Sequence, residues 1–123
     1  MIGRLRSIVL DTRDPGRLAR FYAALLGGEV TTEEEDWYVV TDPNGGRLAC
    51  QLSPEHEPPR FPDPAGSQQL HLDIAVEDIE EADRRVLEIG ATRVPDPHPE
   101  TDFRVYRDPA GHPFCLVFHL SAQ

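Results

Sequence analysis

The segment Ser7-Ile-Val-Leu-Asp-Thr-Arg-Asp14 has a counterpart 64 residues further along the chain, His71-Leu-Asp-Ile-Ala-Val-Glu-Asp78. Apolar and polar residues alternate in both segments, which is typical of a half-buried strand. Both segments end in an aspartate, one of the residues preferred at the N-cap of a helix. This repeat predicts that one strand-helix unit occurs twice in the chain.

Further landmarks recur in the same order and at nearly the same distance. They are a glycine after each helical segment, an Asp-Pro-x-Gly turn and a cysteine in the apolar segment that follows: Gly27 and Gly90, 42–45 and 108–111, Cys50 and Cys115. Each copy therefore contains the same elements in the same order, namely a strand, a helix and three more strands. The strands after each helix are expected at 30–32, 37–41 and 47–52, and at 91–94, 103–107 and 113–119.

The repeat predicts an α+β fold built from two βαβββ modules in one chain. We expect a single domain over residues 1–123, with module one at 1–54, a proline-rich linker at 55–66 and module two at 67–121. The first helix starts at the cap Asp14 and has an apolar face at helical spacing, and the second starts at Asp78 and buries the stripe Ile79, Ala82, Val86 and Ile89.

Composition and charge narrow the classes of function. The 123 residues carry a formal net charge of −10, which disfavours nucleic acids and anionic membranes as partners because both require a basic surface. The apolar runs are far shorter than the roughly 20 residues of a membrane helix, and the first residues lack a signal-peptide pattern. We therefore expect a cytoplasmic protein with free thiols that takes a cationic or neutral ligand.

Three phrases resemble the vicinal oxygen chelate superfamily, which includes glyoxalases, bleomycin resistance proteins and extradiol dioxygenases. They are FYAALLG at 21–27, QQLHLDIAVED at 68–78 and DPAGHPFCLV at 108–117. The resemblance implies that each module has a curved mixed sheet, that the two sheets together form a cup around a small-molecule site, and that the protein is a homodimer.

The resemblance also implies where a divalent metal would be bound, because metal-dependent members place ligands on the first and last strand of each module. In module two these positions are His71 and Cys115. In module one the first-strand position is Ser7. The last-strand position is either Cys50 or Gln51, on the assumption that the first turn is longer than the second, and we favour Gln51. This set contains no carboxylate. Zinc prefers His, Cys and carboxylate ligands, so a tightly bound metal is disfavoured and His71 with Gln51 and Cys115 would make a weak site.

His71 and Asp73 are the candidate catalytic residues. They are two residues apart, so a strand places them on the same side, where they could act as an acid/base pair. Seven residues are expected to contact a substrate: Ser7, Asp11, Trp37, Gln51, Phe61, Phe103 and Cys115. Phe61 belongs to this set because an aromatic residue in a polar, proline-rich linker is poorly explained by core packing.

Two functions follow from these residues. The first is a small-molecule binding protein without a tightly bound metal. The alternative is a lyase or isomerase that uses His71 and Asp73, metal-dependent or not, of the glyoxalase or dioxygenase type. A third interpretation is a structural or regulatory remnant that binds no ligand.

Overall fold

Two compact units, residues 1–56 and 57–123, make up the fold in the computed structural model, which describes residues 1–95 and 102–119. The predicted end of module two at residue 121 lies outside the described residues. The elements of the first unit are β1 (Ile8–Thr12), α1 (Pro15–Leu26), β2 (Glu29–Glu34), β3 (Trp37–Thr41) and β4 (Arg47–Leu52). Those of the second are β5 (Leu72–Ala75), α2 (Ile79–Glu88), β6 (Thr92–Arg93), β7 (Phe103–Arg107) and β8 (Pro113–Val117).

Each unit has one four-stranded mixed sheet with the same topology. The strand order is β1-β4-β3-β2 in the first unit and β5-β8-β7-β6 in the second. In both, the first strand pairs in parallel with the last one, and the remaining pairs are antiparallel. This arrangement confirms the predicted α+β fold of two βαβββ modules, and the strands form two separate sheets in the part of the chain that the structure describes.

Both helices begin where the sequence predicts. The Asp14 carboxylate accepts a hydrogen bond from the backbone N–H of Arg17 at 3.1 Å, and Asp78 accepts one from Glu81 at 3.2 Å, which satisfies an otherwise unpaired donor in each first turn. Helix α1 ends at Gly27, whose φ of 71° lies in the left-handed region that glycine adopts without strain.

In the first unit, α1 covers one face of the sheet. Leu18 and Tyr22 are buried, and a Cβ added at Gly16 would lie 3.4 Å from the Tyr38 ring, so the helix and β3 are in close contact there. Strand register places Leu10 and Cys50 on this face with Tyr38. The opposite face, here called the helix-free face, contains Val9, Asp11, Trp37, Val39, Ala49 and Gln51.

In the second unit, a polar contact joins the sheet to α2. The Tyr106 hydroxyl donates a 2.6 Å hydrogen bond to Asp83, and its ring stacks on Phe114 with the ring centroids 5.4 Å apart. Tyr106 is fully buried. Burial, followed by the hydrogen bond and charge of Asp83, raises the pKa of Tyr106. The helix-free face of this sheet therefore contains the residues between these positions, including Asp73, Val105 and Cys115.

Helix α2 differs from the expectation of a four-residue buried stripe. Val86 is buried, but Ile89 is 38% exposed and Ile79 and Ala82 are half-buried. The helix uses charged contacts to the sheet instead, since Glu80 pairs with Arg104 at 2.5 Å. No helix in residues 1–95 and 102–119 combines the length and apolar character that crossing a membrane requires.

The strand predicted in the segment 71–78 covers only Leu72–Ala75. Strand β5 starts at Leu72, because Gln69 has a φ of 69° and interrupts the extended backbone before it. The Ser67 hydroxyl accepts a hydrogen bond from the Gln69 N–H and supports this conformation. As a result, His71 lies directly before the strand and Leu70 is 57% exposed.

Replacing Tyr106 with Phe should lower the free energy of unfolding by about 2 kcal/mol, because hydrogen bonds to charged groups contribute about 1.5–3 kcal/mol. The part-buried hydrogen bond to Asp83 is lost while the ring stacking is kept. Urea unfolding measures the difference. Tyr38→Phe is the matched control, because the Tyr38 hydroxyl makes no hydrogen bond to the described residues, and an equal loss in both variants would contradict the prediction.

Candidate functional site

The helix-free face of the second sheet brings together three residues that can bind a ligand or move a proton. Asp73 on β5 lies directly opposite Cys115 on β8 in the parallel register, and His71 precedes Asp73 by two residues. The distance from His71 Nε2 to Asp73 Oδ1 is 3.2 Å. One donor atom from each of His71, Asp73 and Cys115 lies within 4.8 Å of the other two. We call these three residues the His71 cluster.

The members of the His71 cluster differ in exposure. The side chains of His71 and Asp73 are 41% and 64% exposed, whereas Cys115 is 6% exposed. Burial, and then the Asp73 carboxylate through its charge and a hydrogen bond, raises the pKa of Cys115 to about 11. The thiol is therefore protonated at neutral pH, which disfavours a role as a nucleophile in this environment.

The contact between His71 and Asp73 is suited to proton transfer. An Nε2–H of the imidazole can donate a hydrogen bond to Asp73 Oδ1 at this distance, and a protonated imidazole would form an ion pair with it. A carboxylate on one ring nitrogen fixes the orientation of the ring and leaves the other nitrogen for a ligand. The two side chains are in contact, although His71 lies directly before β5 and only Asp73 belongs to the strand.

In the first sheet, the residues at the positions equivalent to Asp73 and Cys115 are apolar. Val9 lies opposite Ala49 on β1 and β4, as Asp73 lies opposite Cys115 in the second unit. The assumption of a longer first turn is wrong, because the two turns are closed by the same bonds: Asp42 N–H to Gly46 O and Asp108 N–H to His112 O, both 2.9 Å long.

Gln51 therefore does not occupy the position of Cys115 but lies two residues beyond it. There it is opposite Asp11 and donates a 3.1 Å hydrogen bond from its amide nitrogen to Asp11 Oδ1. Cys50, the other candidate, is fully buried on the helix-covered face. Ser7 lies half-buried directly before β1.

A cavity of about 310 Å³ lies at the end of the β2–β3 hairpin in the first unit. It contains two residues predicted to contact a substrate, Trp37 and Gln51. The residues that line it are Glu33, Glu34, Asp36, Trp37, Gln51 and Leu52. The three acidic residues are not among the site residues predicted from the sequence, although all three lie within the four residues before Trp37.

A β-bulge explains why the acidic residues were missed. The pairing of β2 with β3 shifts between Thr32 and Glu34, so that Glu34 rather than Glu33 is opposite Trp37. Bulges of this kind redirect side chains at the ends of hairpins and have no reliable sequence signature. The regular alternation expected from the sequence is lost at this point.

The remaining predicted residues occupy other positions in the second unit. Phe61 is buried, with its ring 3.9 Å from the guanidinium carbon of Arg107, and its carbonyl oxygen accepts a hydrogen bond from that guanidinium. Phe103, the first residue of β7, is 43% exposed. Arg107 lies on the helix-free face. It is not among the site residues predicted from the sequence, because an arginine at the end of a strand is common and carries no specific signal.

The two units differ in how well their residues suit the divalent metal that the superfamily resemblance implies. In the first unit, Ser7 offers a hydroxyl, and the amide of Gln51 is hydrogen-bonded to Asp11. These are poor ligands for a divalent ion. In the second unit, imidazole, carboxylate and thiol donors are close together, and one of them, Asp73, is outside the implied set.

Raising the pH from 9 to 11 should lower the free energy of unfolding of this protein, in part through Cys115. The Cys115 thiol has a pKa of 9.0 in the unfolded chain and of about 11 in the folded protein. Between pH 9 and pH 11 the unfolded state therefore binds fewer protons than the folded state, and stability falls as the pH rises. The contribution is on the order of 2 kcal/mol. Urea unfolding at both pH values should show that the free energy of unfolding falls less in Cys115→Ala than in the original chain. Equal decreases in the two proteins would contradict the assignment to Cys115.

Comparison with known proteins places this site in a known fold. The family model described as glyoxalase-like domain matches residues 7–117. Among solved structures, a glyoxalase/bleomycin resistance protein/dioxygenase family enzyme from Burkholderia phytofirmans PsJN has a TM-score of 0.72 and 16% identity, with 96% of this chain and 100% of that chain covered. No curated protein sequence matches the chain significantly.

Two further structures have the same fold. The fosfomycin resistance protein FosX from Listeria monocytogenes has a TM-score of 0.70 and 15% identity, covering 95% of this chain and 94% of its own. A possible glyoxalase from Bacillus cereus has a TM-score of 0.69 and 16% identity, with 95% of this chain and 99% of that chain covered. Because the family model extends from the residue before β1 to the end of β8, this chain belongs to the glyoxalase-like domain family of the vicinal oxygen chelate superfamily.

Proposed function

We propose that this protein binds a small organic cation in the cavity beside Trp37, and that this binding requires no tightly bound metal. The observation that carries the proposal is the composition of the cavity, which combines one indole ring with three carboxylates in about 310 Å³. Ligand pockets commonly have volumes of about 300–1,000 Å³, so the cavity suits a small molecule.

The charges at the cavity favour a cationic ligand. Glu33 is paired with Arg47 at 3.3 Å, whereas Glu34 and Asp36 form no ion pair within residues 1–95 and 102–119. Two carboxylates without a cationic partner therefore border the space. The net charge of −10 adds a long-range attraction for cations.

The apolar part of the cavity suits an organic rather than an inorganic cation. An indole face attracts an ammonium group by about 0.5–2 kcal/mol, depending on how fully the cation is desolvated. Leu52, which is 40% exposed, adds an apolar wall beside the ring. A quaternary or substituted ammonium compound can contact both while its charge is close to the carboxylates.

The structural neighbours support a role in small-molecule binding. One is described as a member of a family that includes bleomycin resistance proteins, and another as a fosfomycin resistance protein. Their TM-scores of 0.72 and 0.70 show a shared fold, and at 15–16% identity the likeness extends no further than that. The chemistry of the ligand is therefore inferred from the cavity of this chain.

Fluorescence of Trp37 tests the proposal directly, because Trp37 is the only tryptophan in the chain. Titration with benzyltrimethylammonium should quench or shift the emission, and benzyl alcohol or benzenesulfonate at equal concentration should not. The double replacement Glu34→Gln with Asp36→Asn should weaken binding about tenfold, which corresponds to about 1.4 kcal/mol. A chelator should leave binding unchanged.

The double replacement Glu29→Gln with Glu35→Gln is the matched control for this titration. Glu29 begins β2 and Glu35 is in the turn of the same hairpin, and neither lines the cavity, so this pair also removes two negative charges without removing a contact. Equal weakening in both variants would show a general electrostatic effect. An equal response to benzyl alcohol would refute a cation site.

The alternative function is a lyase or isomerase, and the 3.2 Å contact between His71 and Asp73 favours it. In that case His71 moves a proton to or from the substrate while Asp73 orients the ring. A general acid or base of this kind contributes about 10²–10⁴-fold to the rate.

Replacing His71 with Ala should therefore lower kcat at least about a hundredfold for any compound that the original chain converts. A suitable screen includes fosfomycin, and product formation is measured by NMR. His56→Ala, at a histidine outside both the His71 cluster and the Trp37 cavity, should retain activity. Unchanged turnover in His71→Ala, or no conversion in the screen, would count against the enzymatic function.

A further inference from the structure

We propose that the cavity beside Trp37 selects a primary ammonium group, R–NH₃⁺, and that Gln51 makes this selection through its side-chain oxygen. The inference rests on the proposed function and names the class of cation for that same cavity. Asp11 is a positioning residue for this selection, because it holds the Gln51 amide in the orientation that turns the oxygen towards the ligand.

One row of side chains crosses the whole first sheet beside the cavity. Gln51 on β4 is the direct partner of Asp11 on β1 and of Trp37 on β3. Trp37 is in turn the partner of Glu34 on β2. Direct partners on paired strands have their side chains on the same face of a sheet. The amide of Gln51 therefore lies between a carboxylate on one side and the indole ring on the other.

A backbone hydrogen bond brings Asp36 to the same end of the sheet. The Leu52 N–H donates to the Asp36 carbonyl oxygen at 2.9 Å, which fixes the turn between β2 and β3 against the end of β4. Asp36, Glu34 and Gln51 all line the cavity. Neither carboxylate forms an ion pair in the part of the chain that the structure describes, so both are available to a cation.

The hydrogen bond to Asp11 decides which end of the Gln51 amide is presented to the cavity. An ionised carboxylate only accepts hydrogen bonds, so its partner at 3.1 Å is the amide nitrogen, Nε2. The amide oxygen, Oε1, diverges from Nε2 at the same carbon and is therefore directed away from Asp11 and β1. Within residues 1–95 and 102–119, Oε1 accepts no hydrogen bond, so the cavity gains a neutral acceptor of fixed orientation.

The acceptors at the cavity match the donors of a primary ammonium group. Such a group combines one positive charge with three N–H donors, as at the end of a lysine side chain. The Gln51 oxygen and the carboxylates of Glu34 and Asp36 supply three acceptors. The organic substituent of the ligand then packs against Trp37 and Leu52.

A quaternary ammonium group has the same charge but is bound less tightly by these residues. It has no N–H, so it displaces water from the Gln51 oxygen without replacing the hydrogen bond. A site built to hydrogen-bond its ligand discriminates strongly against an analogue that lacks the matching group. Charge attraction and contact with the indole ring are common to both ligands, so the difference in their affinities reports the hydrogen bonds.

A series of benzylammonium ions tests the selection through the fluorescence of Trp37. Benzylammonium and its N-methyl, N,N-dimethyl and trimethyl derivatives each carry one positive charge at pH 7, and their N–H donors decrease stepwise to none. The dissociation constant should rise along the series, by at least about tenfold from first to last. Gln51→Met should weaken binding of benzylammonium about tenfold and leave that of benzyltrimethylammonium within about twofold.

Asp11→Asn tests the positioning role. An asparagine side chain both donates and accepts, so either end of the Gln51 amide can then turn towards the cavity. The preference for benzylammonium over benzyltrimethylammonium should fall at least about threefold. The charge removed with Asp11 weakens both ligands alike and leaves this ratio unchanged, so an unaltered ratio would refute the positioning role. Gln68→Met, a glutamine outside the cavity, is the matched control and should retain both dissociation constants.

The outcomes separate this inference from the proposed function. If the original chain binds benzyltrimethylammonium as tightly as benzylammonium, or if Gln51→Met keeps the preference, the selection by Gln51 is refuted while the cation cavity stands. No response to any member of the series refutes the cation cavity and the selection together. Circular dichroism confirms that each variant is folded, and the series on the original chain decides the selection without any variant.

Discussion

Parallel pairing of the first and last strand in each unit is the constraint on which the candidate sites depend. Parallel strands cannot be joined by a tight turn and need a longer crossover. In this chain the connection from β1 to β4, and from β5 to β8, consists of a helix and two further strands. The helix covers one face of each sheet. The opposite face is left with side chains from strands that are far apart in the sequence, as in the pairing of Asp73 with Cys115.

The sequence was sufficient to predict the fold because its signals are local. Capping aspartates, turn glycines and alternating apolar residues each specify the conformation of a few neighbouring residues, and their repetition specified two modules. Strands β3, β4 and β7 have the predicted bounds of 37–41, 47–52 and 103–107. Helix α2 was predicted with a wider buried stripe than it has, because Val86 is its buried apolar residue and its other contacts to the sheet are polar ones with Tyr106 and Arg104.

The sites were predicted less completely, since they depend on register between distant strands. The pair of His71 and Asp73 was predictable because both belong to one segment. The approach of Cys115 to that pair, and the exact partner of Gln51, depend on how β4 and β8 align with their parallel neighbours. Because the first Asp-Pro-x-Gly turn was assumed to be longer than the second, the last-strand position of module one was expected at Gln51, whereas Ala49 occupies it. The bulge that pairs Glu34 with Trp37 has no signal in the sequence.

The two sheets share a topology but present polar groups in different rows. The row of Asp73, Cys115 and Val105 corresponds to Val9, Ala49 and Val39 in the first sheet, which is apolar. The row of Asp11, Gln51 and Trp37 corresponds to Ala75, Val117 and Phe103 in the second, which is apolar in turn. Because each sheet has polar residues where the other has none, the two modules can bind chemically different ligands with one backbone arrangement.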